Sequence, residues 1–388
     1  MKKVFLSLSL AFLIYSCGSN QQQGAPIEPA DIEDAVLEPI HVTETYKEQI
    51  DIIDSLTRKT LQRQNNGAFL IAKNGNIIFE KYVGTTQPRK GKDSINAHTP
   101  FHIASVSKTL TAGAILQLVQ EGKLELKDAV QQYLPSFPSS TATVESLLNH
   151  RSGLPTYDHF MENYGWNTGE FVNNQDILDF LAKNHHQIGI RTANKGFAYS
   201  NTNYALLALI IEKVSGSSYP DYMQKKIFEP LQMNDTYVFQ HKDSARHIPS
   251  YYANGRLYKF DYLDYVYGDK NIYSTVRDLL KWDQALKNGF INDSLLNKAY
   301  SPYSFEKPGT LNYGLGWRMK DFSNKKRIIY HNGWWHGNRA ALYRCLDEDV
   351  TLIALSNNNY SGVYEIRVIA DIFGEYYQGG KYLVSEDE

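Results

Sequence analysis

The sequence predicts a mixed α/β fold of the α+β type, in which a discontinuous antiparallel sheet carries helices on its faces and a helical lobe is inserted between its two halves. Strand-like runs lie near both ends of the chain, at 68–82 and 327–356. Residues 125–245 are mostly helical segments interrupted by Pro and Gly. Such a design leaves a cleft between the sheet and the lobe, and we expect the functional site there.

The first half of the sheet is predicted from a hairpin that follows a helix. Residues 43–64 have a helical pattern, and two apolar runs, Ala68–Ala72 and Ile77–Tyr82, then flank Asn74-Gly75. An Asn-Gly pair between apolar runs is a strong hairpin signal, because both residues accept the positive φ angles of a tight turn.

A helix is expected to begin near Ser105, since apolar residues recur downstream at three- and four-residue spacing and Gly122 can end it. A second helix is predicted over Asn203–Val214, ended by Ser215-Gly216. These two helices are the rigid elements from which side chains could be directed into the cleft.

Strand character returns late in the chain, and a helix closes it. We expect strands at Arg327–Tyr330, Ala340–Leu346 and Thr351–Ser356, followed by a helix over Gly362–Tyr377. Cys345 falls in the second of these strands, which predicts an inert buried thiol rather than a nucleophile.

Composition excludes several classes of function. The chain is 42% apolar and 21% charged, with 40 Lys+Arg against 42 Asp+Glu, which gives a net charge of −2. A balanced charge argues against nucleic-acid binding, and this composition is that of a globular protein. Neither a His-Glu-x-x-His pattern nor clustered Cys is found, so we expect no metal and no cofactor.

The first 45 residues suggest export and anchoring. Lys2 and Lys3 precede an apolar stretch from Val4 to Tyr15, which is too short to cross a bilayer, and Ser16-Cys17 follows. This end resembles the lipobox of bacterial lipoproteins, in which Cys17 would carry the lipid; an ordinary secretory leader is the alternative. We expect a signal peptide at 1–17, a tether at 18–45, a catalytic domain at 46–380 and an acidic tail at 381–388.

Ser105-Val106-Ser107-Lys108 places a hydroxyl and an amine on one face at the start of a helix. A lysine amine can take the proton of a serine and make it a nucleophile, although a polar first turn would explain the same residues. A second copy of the pattern, Ser304 to Lys307, lies between Pro302 and Pro308, where no helix can hold the pair.

Two further motifs contain groups suited to acyl transfer. Tyr199-Ser200-Asn201 offers a phenol that can relay a proton and an amide that can orient a substrate; helix capping is the alternative for the asparagines. His331-Asn332-Gly333 follows a predicted strand, and Gly333 permits close backbone approach to an oxyanion. A strand-end histidine without a chemical role is the alternative there.

Together, Ser-x-x-Lys, Tyr-Ser-Asn and His-Asn-Gly in this order resemble the serine β-lactamase and penicillin-binding-protein family, in the branch of class C β-lactamases, DD-carboxypeptidases, D-aminopeptidases and esterases. Flanking blocks agree: Phe101–Lys108, Leu147–Pro155, Tyr199–Tyr204 and Ile227–Met233. The resemblance covers roughly residues 65–375. It implies a β-lactamase/DD-peptidase-like fold.

The resemblance also implies roles for individual residues. Ser105 would be the nucleophile, Lys108 the amine that assists its deprotonation, Tyr199 the shared acid and base, and Asn201 a substrate-orienting amide. His331 would stand where the family places a cation, either contacting a substrate carboxylate or joining the proton relay.

The same resemblance implies that the backbone N–H groups of Ser105 and Trp334, next to Gly333, form the oxyanion hole. Two departures from the family pattern are visible. Histidine replaces lysine at position 331, and its charge is expected to vary near neutral pH. Asn338 stands where an aromatic residue is expected after Gly337, and Trp334-Trp335 either narrow the cleft or simply pack.

The sequence therefore predicts a serine hydrolase of the cell envelope, lipid-anchored and facing the periplasm or the cell surface. It would form an acyl-enzyme with a peptide, amide or ester substrate, act as a monomer and bind no nucleic acid. Two alternatives stay open: a true β-lactamase, and a catalytically silent cell-wall-binding lipoprotein on the same scaffold.

Overall fold

An antiparallel sheet of seven strands is the central element of the computed structural model, which describes residues 46–61, 66–245, 247–306, 311–359 and 361–382. The leader and tether expected at 1–45 lie outside the described residues, as does the acidic tail from 383 onward. Within the described part of the chain, no helix combines the length and the apolar character needed to cross a membrane.

The sheet joins the two ends of the domain, as predicted. Its strand order is β2-β1-β12-β11-β10-β9-β8, and β1 pairs with β12 from Gly67 opposite Ser356 to Lys73 opposite Val350. The strands of this sheet are β1 (Gly67–Lys73), β2 (Asn76–Val83), β8 (Leu311–Tyr313), β9 (Arg318–Asp321), β10 (Arg327–Trp335), β11 (Asn338–Cys345) and β12 (Val350–Ser356). Two small sheets contain β3 (Thr85–Gln87) with β4 (Lys92–Ser94), and β5 (Phe101–His102), β7 (Ile272–Ser274) and β6 (Tyr237–Val238) in that order.

The predicted hairpin and helix ends are confirmed. Asn74 and Gly75 have φ angles of 52° and 78° at the turn between β1 and β2, which are the left-handed values that a two-residue hairpin turn requires. Gly122 (φ 68°) and Gly216 (φ 69°) end the two long buried helices in the same conformation.

Helices cover both faces of the sheet and fill the lobe between β5 and β8. One face packs against α1 and the closing 3₁₀ helix, with Phe69, Ile71, Tyr343 and Leu352 among the buried residues. The α-helices are α1 (Lys47–Leu61), α2 (Ser107–Gln120), α3 (Val130–Tyr133), α4 (Val144–Leu148), α5 (Tyr157–Asn163), α6 (Asn174–Ile188), α7 (Asn201–Ser215), α8 (Tyr219–Met223), α9 (Val276–Lys287) and α10 (Asp293–Ala299). Shorter windings are the 3₁₀ helices Ala104–Val106, His241–Asp243 and Ser361–Ile372 and the π-helix Gln224–Phe228.

Two elements differ from the prediction. Strand β10 continues through Trp335, five residues beyond the predicted end at Tyr330. The closing helix is a 3₁₀ helix and ends at Ile372 rather than Tyr377. It ends there because the Asp371 carboxylate accepts hydrogen bonds from the backbone N–H groups of Tyr376, Gln378 and Gly380, so the chain turns around this carboxylate. Cys345 is buried in β11, as expected, and burial raises the pKa of its thiol far above the usual range.

Candidate active site

Ser105 lies in a tight turn between a strand and a helix. The 3₁₀ turn Ala104–Val106 joins β5 to α2, and Ala104 has a φ angle of 48°, which is unusual for a residue with a Cβ atom. Ser105 is partly exposed, whereas Lys108, in the first turn of α2, is completely buried. The predicted pair is therefore formed, with Lys108 Nζ 3.2 Å from Ser105 Oγ.

The Lys108 amine has two other partners, both from distant parts of the chain. Its Nζ atom lies 2.9 Å from Asn201 Oδ1 and 2.8 Å from the backbone carbonyl oxygen of Asp269. These two oxygens can only accept hydrogen bonds, so they fix two N–H groups of the amine. In the neutral amine the lone pair then points to the Ser105 hydroxyl, which is the arrangement required of a general base.

Tyr199 lies next to the same amine, just before α7. Its ring centroid is 5.2 Å from Lys108 Nζ and 4.8 Å from the guanidinium carbon of Arg318. His150 supports it from below, with the two ring centroids 4.3 Å apart, and His150 Nδ1 accepts the N–H of Ser200 at 3.2 Å. The hydrogen bond from Ser200 to His150 shows a structural role for the Leu147–Pro155 block, because it fixes the backbone next to Tyr199.

Asn201 is the first residue of α7, and its side chain contacts both Lys108 and Asp158. Its Oδ1 accepts from Lys108, and its Nδ2 donates to Asp158 Oδ1 at 3.4 Å. The capping alternative fails for both asparagines, since the N-cap residue is Ser200 and the two Oδ1 atoms accept from the Lys108 and Ser152 side chains rather than from N–H groups of the helix. Asn203 Oδ1 instead accepts from Ser152 Oγ at 2.6 Å, which ties the helix to the loop beneath.

His331 lies near the other groups but is fully buried. Its Nδ1–H donates to the Asn332 carbonyl at 2.8 Å, and its Nε2 accepts from the Tyr313 hydroxyl at 3.1 Å. Burial, with Arg318 and Lys108 adding positive charge nearby, holds the pKa of His331 well below its usual range. The expectation that its charge varies near neutral pH is therefore wrong, because the ring stays neutral there.

Arg318, which the sequence analysis did not identify, supplies a cation beside Tyr199 and Tyr313. It lies on β9 opposite Tyr330, in the register that also brings β10 to the site. Its guanidinium carbon lies 4.8 Å from the Tyr199 ring centroid and 5.7 Å from that of Tyr313. Among the described residues, Arg318 is not one of the arginines that form an ion pair with a carboxylate. No sequence signal distinguished it, since the pairing of β9 with β10 is a tertiary contact.

Gly333 brings β10 against the nucleophile turn, as its lack of a side chain predicted. A Cβ atom at this position would overlap the Ile103 carbonyl oxygen and lie 3.1 Å from Ala104 Cβ. Within the described strands, β9 pairs with β10 only as far as Tyr330, so the edge that includes Trp334 carries no partner strand. The oxyanion-hole role of the Ser105 and Trp334 N–H groups stays a prediction, for which this placement is suitable.

The two tryptophans differ in their surroundings. Trp334 is 68% exposed, whereas Trp335 donates its indole N–H to Asp264 Oδ1 at 2.6 Å and packs on Lys270. Packing therefore explains Trp335. Trp334 remains available to a bound substrate.

One group of side chains could hold a metal ion. Asp261, Asp264 and His336 bring their ligand atoms within 4.8 Å of one another. The hydrogen bond between His336 Nε2 and Asp264 Oδ1, 3.0 Å long, accounts for this arrangement without a metal. The second Ser-x-x-Lys copy has no helix at Ser304, and its Lys307 lies outside the described residues.

Comparison with known proteins agrees with this geometry. Residues 53–373 match the Beta-lactamase family. The chain is 36% identical over 327 residues to Penicillin-binding protein 4* of Bacillus subtilis (strain 168), covering 79% of this chain and 71% of the relative. Its fold resembles the octameric penicillin-binding protein homologue from Pyrococcus abyssi, with a TM-score of 0.70, 26% identity and coverage of 82% of this chain and 75% of that one.

A D-amino acid amidase from Ochrobactrum anthropi SV3 has the same fold, with a TM-score of 0.68 and 22% identity over 82% of this chain and 96% of that one. The fold predicted from the resemblance is thus confirmed. The chain belongs to the Beta-lactamase family and is a serine hydrolase.

Proposed function

We propose that this protein hydrolyses a peptide, amide or ester outside the cytoplasm through an acyl-enzyme on Ser105, as a DD-peptidase, D-aminopeptidase or esterase does. The observation that carries the proposal is the environment of the Lys108 amine. Asn201 and the Asp269 carbonyl occupy two of its hydrogen-bonding positions and leave the third for Ser105 Oγ.

Acylation begins with the transfer of the Ser105 proton to the amine of Lys108. The serine oxygen then attacks the substrate carbonyl carbon, and the negative charge moves onto the carbonyl oxygen. The N–H groups of Ser105, in the turn before α2, and of Trp334, on the free edge of β10, would stabilise that charge, and each donor contributes about 3 kcal/mol in comparable sites.

Tyr199 completes the proton path. It lies beside Lys108 and can pass a proton to the leaving amine or alcohol when the bond to the carbonyl carbon breaks. Water then attacks the ester formed on Ser105 and gives up a proton to the same pair. The pair returns a proton to Ser105 Oγ as the bond to the acyl carbon breaks and the acid is released. Lys108 and Tyr199 act as one coupled unit in both halves of the cycle.

Arg318 favours substrates that bear a carboxylate near the scissile bond. Its guanidinium lies over the Tyr199 ring, and no ion pair joins it to an acidic residue in the described part of the chain. A cation in this position can bind a carboxylate by two parallel hydrogen bonds. We therefore propose a peptide with a free terminal carboxylate as the substrate class.

Active-site labelling tests the nucleophile. We expect a fluorophosphonate or a fluorescent penicillin to label the wild-type protein on Ser105, and Ser105→Ala to abolish the label. Ser304→Ala is the matched control, because it removes the serine of the second Ser-x-x-Lys copy outside any helix. Labelling of Ser105→Ala at the wild-type rate contradicts the proposal.

A substrate panel tests the reaction. D-Alanyl peptides, D-amino acid amides, short-chain p-nitrophenyl esters and nitrocefin are offered to the wild type and to Ser105→Ala. Hydrolysis of the peptides or esters with slow nitrocefin turnover supports the proposal, whereas nitrocefin turnover at ordinary enzyme rates favours a true β-lactamase. Binding of D-alanyl peptides with no hydrolysis of any substrate supports the silent binding protein.

The envelope location is proposed from the sequence of the first 17 residues. A lipid on Cys17 would hold the domain at the membrane through the 18–45 tether. Metabolic labelling with a radioactive fatty acid should mark the wild type and not Cys17→Ala, and Cys345→Ala, which removes the buried cysteine, should be marked normally. Light scattering on the protein lacking its leader tests the expected monomer.

A further inference from the structure

We infer that His102 is a positioning residue that holds the nucleophile and its base in register. It accepts a hydrogen bond from the backbone of the nucleophile turn and donates one to Asn271, in the segment whose Asp269 carbonyl binds the amine of Lys108. The inference rests on the proposed function and deepens it. His102 is the last residue of β5, three positions before Ser105, and is 3% exposed.

The first hydrogen bond fixes the turn of the nucleophile. His102 Nδ1 lies 3.1 Å from the backbone nitrogen of Ala104, whose N–H is the donor. Ala104 has a φ angle of 48°, a conformation that costs about 1–2 kcal/mol for a residue with a Cβ atom. The bond from His102 stabilises this conformation, which in turn aims the Ser105 side chain.

The second hydrogen bond fixes the segment that holds the base. Since Nδ1 accepts, the proton of the neutral ring is on Nε2, which donates to Asn271 Oδ1 at 2.9 Å. The backbone of Asn271 also has a left-handed conformation, with a φ angle of 68°, and Asn271 lies two residues after Asp269. The Asp269 carbonyl is the acceptor for Lys108 Nζ at 2.8 Å.

The ring can hold both bonds over a wide pH range. Burial lowers the pKa of His102 to about 4, so Nδ1 remains an acceptor at neutral pH. The Tyr273 ring packs edge-on against it with the centroids 5.2 Å apart. Asn271 Nδ2 donates in turn to the Asp264 carbonyl at 2.6 Å, which anchors the network.

Two amide substitutions separate the two bonds. Asn places its amide oxygen near the position of Nδ1, and Gln places its amide nitrogen near that of Nε2. His102→Asn therefore keeps the acceptor for Ala104, and His102→Gln keeps the donor to Asn271. The exposed His98, which pairs with Asp235, provides the control His98→Gln.

The measurement is the acylation rate of the full chain by a fluorophosphonate over a range of probe concentrations, which separates probe affinity from the limiting rate constant. We expect the limiting rate constant to fall roughly 10- to 100-fold in His102→Gln, and several-fold less in His102→Asn, with probe affinity unchanged in both. A wild-type limiting rate constant in either variant, or a loss confined to probe affinity, overturns the inference.

A second variant and a spectroscopic measurement test the inference even if the His102 variants fail to fold. Asn271→Gly retains a residue that tolerates the positive φ angle and removes the amide that receives the His102 bond; we expect acylation to fall roughly 10-fold, and an unchanged rate overturns the inference. Histidine ¹⁵N NMR should show His102 protonated on Nε2, and the Nδ1–H tautomer contradicts the assignment. Failure of the proposed function is seen separately, as labelling that survives Ser105→Ala.

Discussion

Gly333→Ala should slow acylation about 100-fold while the protein remains folded. The new Cβ atom would overlap the Ile103 carbonyl oxygen and lie 3.1 Å from Ala104 Cβ and 3.2 Å from Ala340 Cβ. Nonbonded carbon atoms are most stable about 3.5–4.0 Å apart, so the nucleophile turn or β10 must move by roughly 1 Å. A displacement of that size at a reacting group costs about 100-fold in rate.

The same substitution should lower the free energy of unfolding without unfolding the protein. Overpacking by one methyl group destabilises a core by about 1–3 kcal/mol. Gly333→Ala should therefore remain folded, with a lowered denaturation midpoint in urea. The assay is the limiting rate of acylation by a fluorophosphonate, measured at a temperature where circular dichroism shows each variant folded.

Two other glycines provide the comparison. Gly337→Ala would place a Cβ atom 2.5 Å from the backbone nitrogen of Tyr251, a similar overlap that involves neither Ile103 nor Ala104. Gly196→Ala meets nothing within 4 Å. We expect Gly337→Ala to lose stability but to acylate faster than Gly333→Ala, and Gly196→Ala to match the wild type. If Gly333→Ala acylates no more slowly than Gly337→Ala, the close approach of β10 does not set the nucleophile.

Three further predictions follow from charge and exposure. Arg318→Gln should raise KM for a D-alanyl peptide with a free carboxylate roughly 10- to 100-fold and leave KM for neutral esters nearly unchanged, since a hydrogen bond to a charged group is worth about 1.5–3 kcal/mol. Equal losses on both substrates would refute the carboxylate role. Trp334→Ala should change KM with less than about 0.5 kcal/mol lost in stability, because the side chain is 68% exposed, and a large loss in urea denaturation would contradict this. Burial lowers the pKa of His102 to about 4 and those of His150 and His331 well below their usual range. The unfolded rings bind protons below about pH 6.5 while the folded ones do not, so stability should fall as pH drops from 6.5 toward 4, by about 2 kcal/mol at pH 5 for His102 alone. Urea midpoints that stay constant between pH 7 and 5 would show that these rings are not buried neutral.

Local signals were sufficient for much of the fold. The Asn74-Gly75 turn and the glycines that end α2 and α7 depend on backbone conformations that few residues accept, so they could be predicted from the sequence alone. The continuation of β10 through Trp335 could not, because polar residues and a glycine replace the apolar alternation there. The strand persists because β11 pairs with it as far as Asn338 opposite Trp335.

The site was predictable where chemistry is carried by side chains in a motif. Ser105, Lys108, Tyr199 and Asn201 were predicted together, and the structure brings them together. The Asp269 carbonyl could not be predicted, since any backbone has one and only the tertiary fold places it beside an amine. His102 lies within the Phe101–Lys108 block, but its role could not be predicted, because a buried neutral ring without a reacting partner belongs to no catalytic motif.

The environment of Lys108 explains why a serine and a lysine three residues apart are insufficient for catalysis. An amine with one partner can rotate, and its lone pair then has no fixed direction. At Lys108 the Asn201 amide comes from α7 and the Asp269 carbonyl from the segment before β7, so three distant parts of the chain determine where the lone pair points. Ser304, in the second copy of the pattern, lies outside any helix. Reactivity in this protein is therefore a property of the assembled fold, and variants that loosen either acceptor should reduce acylation even though Ser105 and Lys108 are intact.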